Sequence, residues 1–193
     1  MGELVLFDSL SLDGVMQAPG RADEDTRDGF AHGGWAGAYA DPDQGRMAGE
    51  SMATTEALLF GRRTYEDFYQ VWPHRTDNPF TEVLNRTPKY VASRTLTEPL
   101  PWENSTRLTG DAMAAVRDLK TRLERNVVVL GSGDLAGQLL AHGLVDHLVL
   151  MIHPLTLGGG RRLFPADGAL NRFALEGTTT SSKGVIMATY RPA

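Results

Sequence analysis

Apolar residues along the chain come in short runs that stop at glycine, proline or serine, and their period changes from run to run. Val127, Val128, Val129 and Leu130 form a β-branched run, Gly131-Ser132-Gly133 follows without a spacer, and Leu135, Leu139 and Leu140 then recur at helical spacing. Gly143 closes that helix, and the apolar run from Leu144 to Ile152 stops before Pro154. The pattern predicts strand, glycine turn, helix, strand, a connection that makes the two strands parallel with a right-handed crossover. Leu58, Leu59 and Phe60 predict another buried strand, which hands over at Gly61-Arg62-Arg63-Thr64-Tyr65-Glu66 to a helix carrying Phe68 and Tyr69. A third strand, Lys89 to Ala92, ends in Ser93-Arg94-Thr95.

The remaining pattern completes an α/β chain. A first strand is expected near Glu3 to Ser9, then a long loop from Ser11 to about Asp41. A helix from Asp43 to Thr55 follows, with Asp43 as its cap and Met47 and Met52 inward. Pro99 to Trp102 reads as a loop, and Asp111 caps a helix through about Glu124 with Val116, Leu119 and Leu123 on one face. Near the end, Phe173 to Thr178 and Val185 to Tyr190 flank Ser182-Lys183-Gly184 as an antiparallel hairpin. The predicted sheet is mixed: mostly parallel, flanked by helices, with an antiparallel C-terminal edge.

Three predicted strand ends carry glycine, hydroxyl or guanidinium groups, and ligands of open α/β sheets lie outside the carboxyl ends of the strands. Glycines let backbone N–H groups approach a ligand, and a helix N-terminus favours phosphate. Cations at a helix start oppose the macrodipole, so Arg62 and Arg63 point to an anionic partner better than to a structural role. The long loop holds the acidic run Asp23-Glu24-Asp25 and the segment Phe30 to Trp35. Trp35 has two readings: the wall of a flat-ring pocket, or a cover over the core.

Taken together, Ser11-Leu12-Asp13-Gly14, Gly61-Arg62-Arg63-Thr64-Tyr65-Glu66, Val91-Ala92-Ser93-Arg94, Gly131-Ser132-Gly133, Gly143-Leu144-Val145-Asp146 and Pro154 through Leu163-Phe164-Pro165 resemble the dihydrofolate reductase fold family. The likeness is strongest to its stand-alone branch related to the reductase domain of riboflavin biosynthesis, and it spans nearly the whole chain. It implies NADPH as cofactor, with Gly61, Arg62, Arg63 and Thr64 at ribose phosphate and pyrophosphate. It further implies Ser93 and Arg94 at the adenosine end, and Gly131, Ser132, Gly133 and Leu135 at pyrophosphate and nicotinamide ribose. Folate reductases carry a carboxylate on the first helix, and no acid of Asp43 to Glu50 falls on that position here. The catalytic group is therefore unassigned, and substrate recognition is expected from the loop, through Asp13, Met16 and Trp35.

Composition narrows the partners. At 193 residues, with no Pro/Gly/Ser linker and no internal repeat, one domain over residues 1–193 is expected. A net charge of −5 without a basic stripe argues against a nucleic-acid surface. The chain has no cysteine, which excludes disulfides, thiolate–zinc sites and the deaminase half of bifunctional riboflavin enzymes. His32, His74, His142, His147 and His153 are scattered, so no metal is expected. No apolar run is long enough for a membrane span, which makes a cytoplasmic location the default expectation. Val185, Ile186, Met187 and Tyr190 suggest an apolar terminal edge and hence a homodimer. The expected function is reduction of a small heterocyclic or carbonyl substrate of pterin, pyrimidine or flavin type. Two alternatives stand beside it: a non-enzymatic nucleotide- or ligand-binding protein of the same fold, and a classical dinucleotide-binding dehydrogenase. Asp146 fits the latter poorly, because it would open the next strand rather than end it.

Overall fold

The computed structural model of the protein describes residues 1–78, 80–166 and 168–193. Its strands are β1 (Leu4–Ser11), β2 (Thr55–Gly61), β3 (Lys89–Ala92), β4 (Ser105–Leu108), β5 (Asn126–Leu130), β6 (His147–His153), β7 (Phe173–Thr180) and β8 (Ile186–Pro192). The α-helices are α1 (Pro42–Ala53), α2 (Arg62–Val71), α3 (Phe80–Arg86), α4 (Ala112–Arg122) and α5 (Gly133–Ala141). All the strands join one sheet in the order β4-β3-β2-β5-β1-β6-β8-β7. The pairings from β4 across to β6 are parallel, and β8 pairs antiparallel with both β6 and β7.

Alternation along the central strands divides the core. Leu4, Leu6 and Leu10 of β1 join Val127 and Val129 of β5 on the side covered by Val116 and Leu119 of α4 and Leu135 and Leu139 of α5. Val5, Leu58, Phe60 and Val128 fall on the other side, where Tyr65, Trp102 and half-buried Met47 and Met52 cover them. Two apolar faces explain why these strands read as continuous runs. A third, smaller cluster belongs to the long loop: Val15, Ala18, Phe30 and Trp35 pack together against Leu155 and Leu157.

Several local expectations need correction. Asp41, not Asp43, caps α1, accepting from the Gln44 N–H at 3.1 Å with Pro42 in the first turn. Leu144 and Val145 are buried but precede β6, because the Leu144 N–H returns to Leu139 O to close the helix end. Helix α3 and strand β4 have no counterpart in the apolar pattern: α3 is a 7-residue helix and β4 reads Ser-Thr-Arg-Leu. The terminal edge differs as well. Strand β8 is paired on both sides, Val185 and Met187 are buried, and the edge strand is β7. Leu175 and Ile186 are the large apolar groups exposed on this hairpin.

Candidate functional site

The carboxyl ends of β1, β2, β3 and β5 open into one cleft of about 1440 Å³, roofed by the loop after β1. Its floor is Phe7, Asp8 and Ser9 of β1 with the Leu130 to Gly133 turn, and its walls include Arg63, Thr64 and Asp67 of α2. Gly131 and Ser132 both take left-handed backbone, at φ 54 and 59, to swing the chain from β5 into α5. Gly133 is a close approach: a Cβ there would lie 2.8 Å from the Met16 sulfur. Ser132 stitches two junctions together. Its Oγ accepts from the Gly61 N–H at 2.9 Å and donates to Leu130 O at 3.0 Å, while its own N–H donates to Thr64 Oγ1 at 3.1 Å.

Most charged groups at the cleft are already matched. Arg21 reaches from the loop to Asp67 of α2 at 2.6 Å, Arg27 binds Asp25, and Arg161 binds Asp134 at the first turn of α5. That last pair neutralises a carboxylate standing where a phosphate would be repelled. Arg63 and Arg94 also line the cleft, and among the described residues neither has a carboxylate partner. They follow the ends of adjacent strands, since Gly61 pairs with Ala92. The first turn of α5 adds backbone N–H groups that no intrahelical carbonyl takes up.

The structure thus brings Arg63, Thr64, Arg94, Gly131, Ser132, Gly133 and Met16 to one cleft and leaves the other candidates outside it. Arg62 spends its guanidinium on Glu66 at 2.9 Å, one helical turn along α2. Ser93 accepts from the Thr95 and Leu96 N–H groups and so closes its own turn. Leu135 is a core residue, and Gly61 serves as the partner of Ser132. Asp13 lies outside the cleft lining and accepts from Ser11 Oγ and the Leu157 and Gly158 N–H groups, bonds that lower its pKa to about 2. Trp35 is the cover rather than the wall, donating Nε1 to Gln17 O at 2.7 Å with its ring edge-on to His153.

Family membership agrees with this geometry. The profile of the RibD C-terminal domain matches residues 3–187. The chain belongs to the RibD C-terminal domain family. Within that family's reach, the protein YyaP of Bacillus subtilis is 29% identical over 176 residues, covering 86% of this chain and 89% of its own length. Among solved structures, a putative riboflavin biosynthesis protein from Shewanella sp. PV-4 superposes with a TM-score of 0.69 at 22% identity, over 99% of both chains. A pyrimidine reductase-like protein from Corynebacterium diphtheriae gives 0.69 at 15% identity, over 100% of this chain and 92% of that one. Dihydrofolate reductase of Enterococcus faecalis, complexed with NADP(H), gives 0.61 at 15% identity, over 99% and 96%. These likenesses establish the dihydrofolate-reductase-like fold: a mostly parallel eight-stranded sheet with an antiparallel C-terminal edge.

As a RibD C-terminal domain, the chain also excludes the dehydrogenase reading. Asp146 lies at the amino end of the sheet, where it accepts from the Leu4 N–H and pairs with Lys120, far along the strands from the glycine turn. Among the described residues no cluster of His, Asp or Glu is arranged to hold a metal ion, and no helix is long and apolar enough to cross a membrane.

Sequence reasoning passed over several cleft residues. Arg21 and Glu24 sit in irregular segments, where no period reveals direction. Asp8 carried a signal: it is an acid inside the apolar run of the central strand. It is 5% exposed, its Oδ1 accepts from the Ser9 N–H at 2.8 Å, and its Oδ2 is buried without a partner among the described residues. Burial pushes its pKa up to about 8, and the nearby Glu24 adds to the rise. Glu24 is itself raised, chiefly by burial, while accepting from the Gly20 and Arg21 N–H groups.

Proposed function

We propose that the protein is an NADPH-dependent reductase of a small heterocyclic or carbonyl compound, of pyrimidine, pterin or flavin type. The observation that carries the reading is the pair of uncommitted guanidiniums, Arg63 and Arg94, at adjacent strand ends of a cleft whose other arginines are matched by carboxylates. A guanidinium fork rewards a phosphate far more than a ribose hydroxyl, which favours NADPH over NADH. Thr64 and the first turn of α5 would hold the pyrophosphate. The residues present therefore fit the cofactor. When bound, a reduced nicotinamide supplies hydride; the protein fixes its position and excludes water. Met16, buried against Gly133, adds an apolar group to the lining of that cleft.

Fluorescence titration tests the reading. NADPH should bind at least about tenfold more tightly than NADH, a difference of about 1.4 kcal/mol. Arg63→Ala and Arg94→Ala should erase most of that preference, whereas Arg62→Ala should leave it intact. Equal affinity for the two nucleotides would sink the cofactor assignment. A second reading, a ligand-binding protein without turnover, is favoured by α1, whose Asp43 and Glu50 are both occupied by Arg46. Following NADPH absorbance with pyrimidine, pterin and flavin acceptors separates the two.

A further inference from the structure

Asp8 occupies a place where the fold has no use for an acid. The last pairing of β1 with β5 is Phe7 with Leu130, so Asp8 emerges one residue further on, beside the Gly131 turn. On its other side it pairs with Leu150 of β6, and its neighbours along the strand on the same face are Leu6 and Leu10. No arginine or lysine among the described residues reaches it, and Oδ2 has no donor or acceptor partner although it is buried on the cleft floor. A structural acid in such a position would be paired, because an unpartnered buried polar group costs about 1–3 kcal/mol. An ionised carboxylate there would cost more, so the group is a neutral carboxylic acid. A neutral acid has an O–H to donate, and the protein offers it no acceptor. Because Asp8 lines the cleft, a ligand seated there is the acceptor it could meet.

We propose that Asp8 is the proton donor of the reduction, and that the substrate accordingly carries a C=N or C=O bond whose nitrogen or oxygen comes to rest against the Asp8 carboxyl. The proposal rests on the reductase reading given above and deepens it by naming the bond reduced. In the step, the substrate carbon gains a hydrogen nucleus with two electrons from the reduced nicotinamide. The π pair of the double bond moves to the nitrogen or oxygen, which forms its new N–H or O–H bond with the proton of Asp8. Asp8 is left as the carboxylate and the nicotinamide as its oxidised form, and one proton from solvent restores the acid. A carboxylate held in the same place by a charged partner could accept a hydrogen bond but could not supply this proton.

Burial keeps the acid neutral until that moment, and one like charge adds to it. Glu24, on the loop, has the same sign and raises it. From α2 the facing charges are Arg63, Glu66 bound to Arg62, and the Asp67–Arg21 pair, with Arg94 beyond β3; from α5 and the 158–162 segment they are Asp134 and Arg161, bound to each other, His142, and Arg162 on Asp13; the loop adds the internal pair Asp25–Arg27 and Asp23 on Arg21. Strands β5 and β6 present only apolar residues at this level.

The test compares wild type with Asp8→Asn, which keeps shape and polarity but cannot release a proton. Both should bind NADPH equally. Turnover with a C=N or C=O acceptor should fall about 10²-fold or more in the variant, the scale of a lost general acid. In wild type the rate should fall as pH rises through about 8, where the acid form is lost, and that limb should be missing from the residual rate of the variant. A readout independent of activity comes from stability. With the folded pKa raised above the unfolded value of 3.8, the unfolded chain releases the proton first, so wild-type stability should decline from about pH 4 to about pH 8. Asp8→Asn should remove that decline. Undiminished turnover in Asp8→Asn, or an alkaline limb that persists in it, overturns the proposal while leaving the reductase reading standing. Wild type that binds NADPH but reduces no acceptor overturns both. Should the variant not fold, carbon-13 NMR titration of aspartate carboxyls in wild type decides: a buried aspartate already ionised at pH 7 rules the donor out.

Discussion

Lys89 shows what a buried charge requires in this fold, and so what Asp8 lacks. It is 1% exposed, yet its ammonium donates to Leu84 O, Asn85 O and Thr87 O at 2.8, 2.9 and 2.8 Å and stands 4.6 Å from the Trp102 ring centre. Those carbonyls close the C-terminal end of α3, where the helix dipole also favours a cation. Lys89→Met would keep the stem and take the ammonium from Leu84 O and Thr87 O, while Asn85 O still accepts from Asn104 Nδ2, so we expect a loss of about 2 kcal/mol or more in urea unfolding, with NADPH affinity of the folded protein unchanged. A loss under 1 kcal/mol would mean that water replaces the ammonium. At this scale the sequence is only partly legible. Arg62 and Arg63 are equivalent as letters, and Glu66 and Asp67 offer each a partner one turn along the helix. Arg62 takes Glu66, but the loop arginine Arg21 takes Asp67 and leaves Arg63 free. That outcome depends on a contact 46 residues apart, which no local pattern contains.

Among the elements, the strand-to-helix turns were readable and their connection was not. Glycines at 61, 131 and 133 mark the junctions plainly. Nothing in the spacing reveals that Ser132 serves both, holding Gly61 and Thr64. Ser132→Ala should leave the Gly61 N–H and Leu130 O short of a partner, costing about 1–2 kcal/mol in stability and, on the proposed function, weakening NADPH binding severalfold by loosening both turns. Parallel thermal melts and titrations check this; lost stability with intact affinity would make the serine purely structural. Helix α3 and strand β4 escaped prediction for a different reason. Seven residues are too few to define a helical period, and a Ser-Thr-Arg-Leu strand exists because β3 offers it a free edge.

For the molecule as a whole, periodicity and glycine placement sufficed for the sheet and its mixed character, because those follow from burial on both faces. The side-chain roles in the loop were not accessible, since Asp13 and Trp35 are engaged by partners far along the chain. The way that loop is fastened has a practical outcome. Its base is held by the apolar group of Val15, Ala18, Phe30 and Trp35, while its tip is held across the cleft by Arg21 on Asp67. Salt leaves the first kind of fastening in place and weakens the second, because the distance over which exposed charges act shrinks from about 10 Å at 0.1 M to about 3 Å at 1 M. We therefore expect the aperture of the cleft to respond to ionic strength. In concentrated salt, amide exchange at residues 20–27 should quicken while exchange in β1 and β5 stays slow, and Arg21→Gln should show the same pattern in dilute buffer. Uniform exchange in both media would mean that the apolar base alone holds the loop, and the mouth of the site would then be equally wide in any buffer.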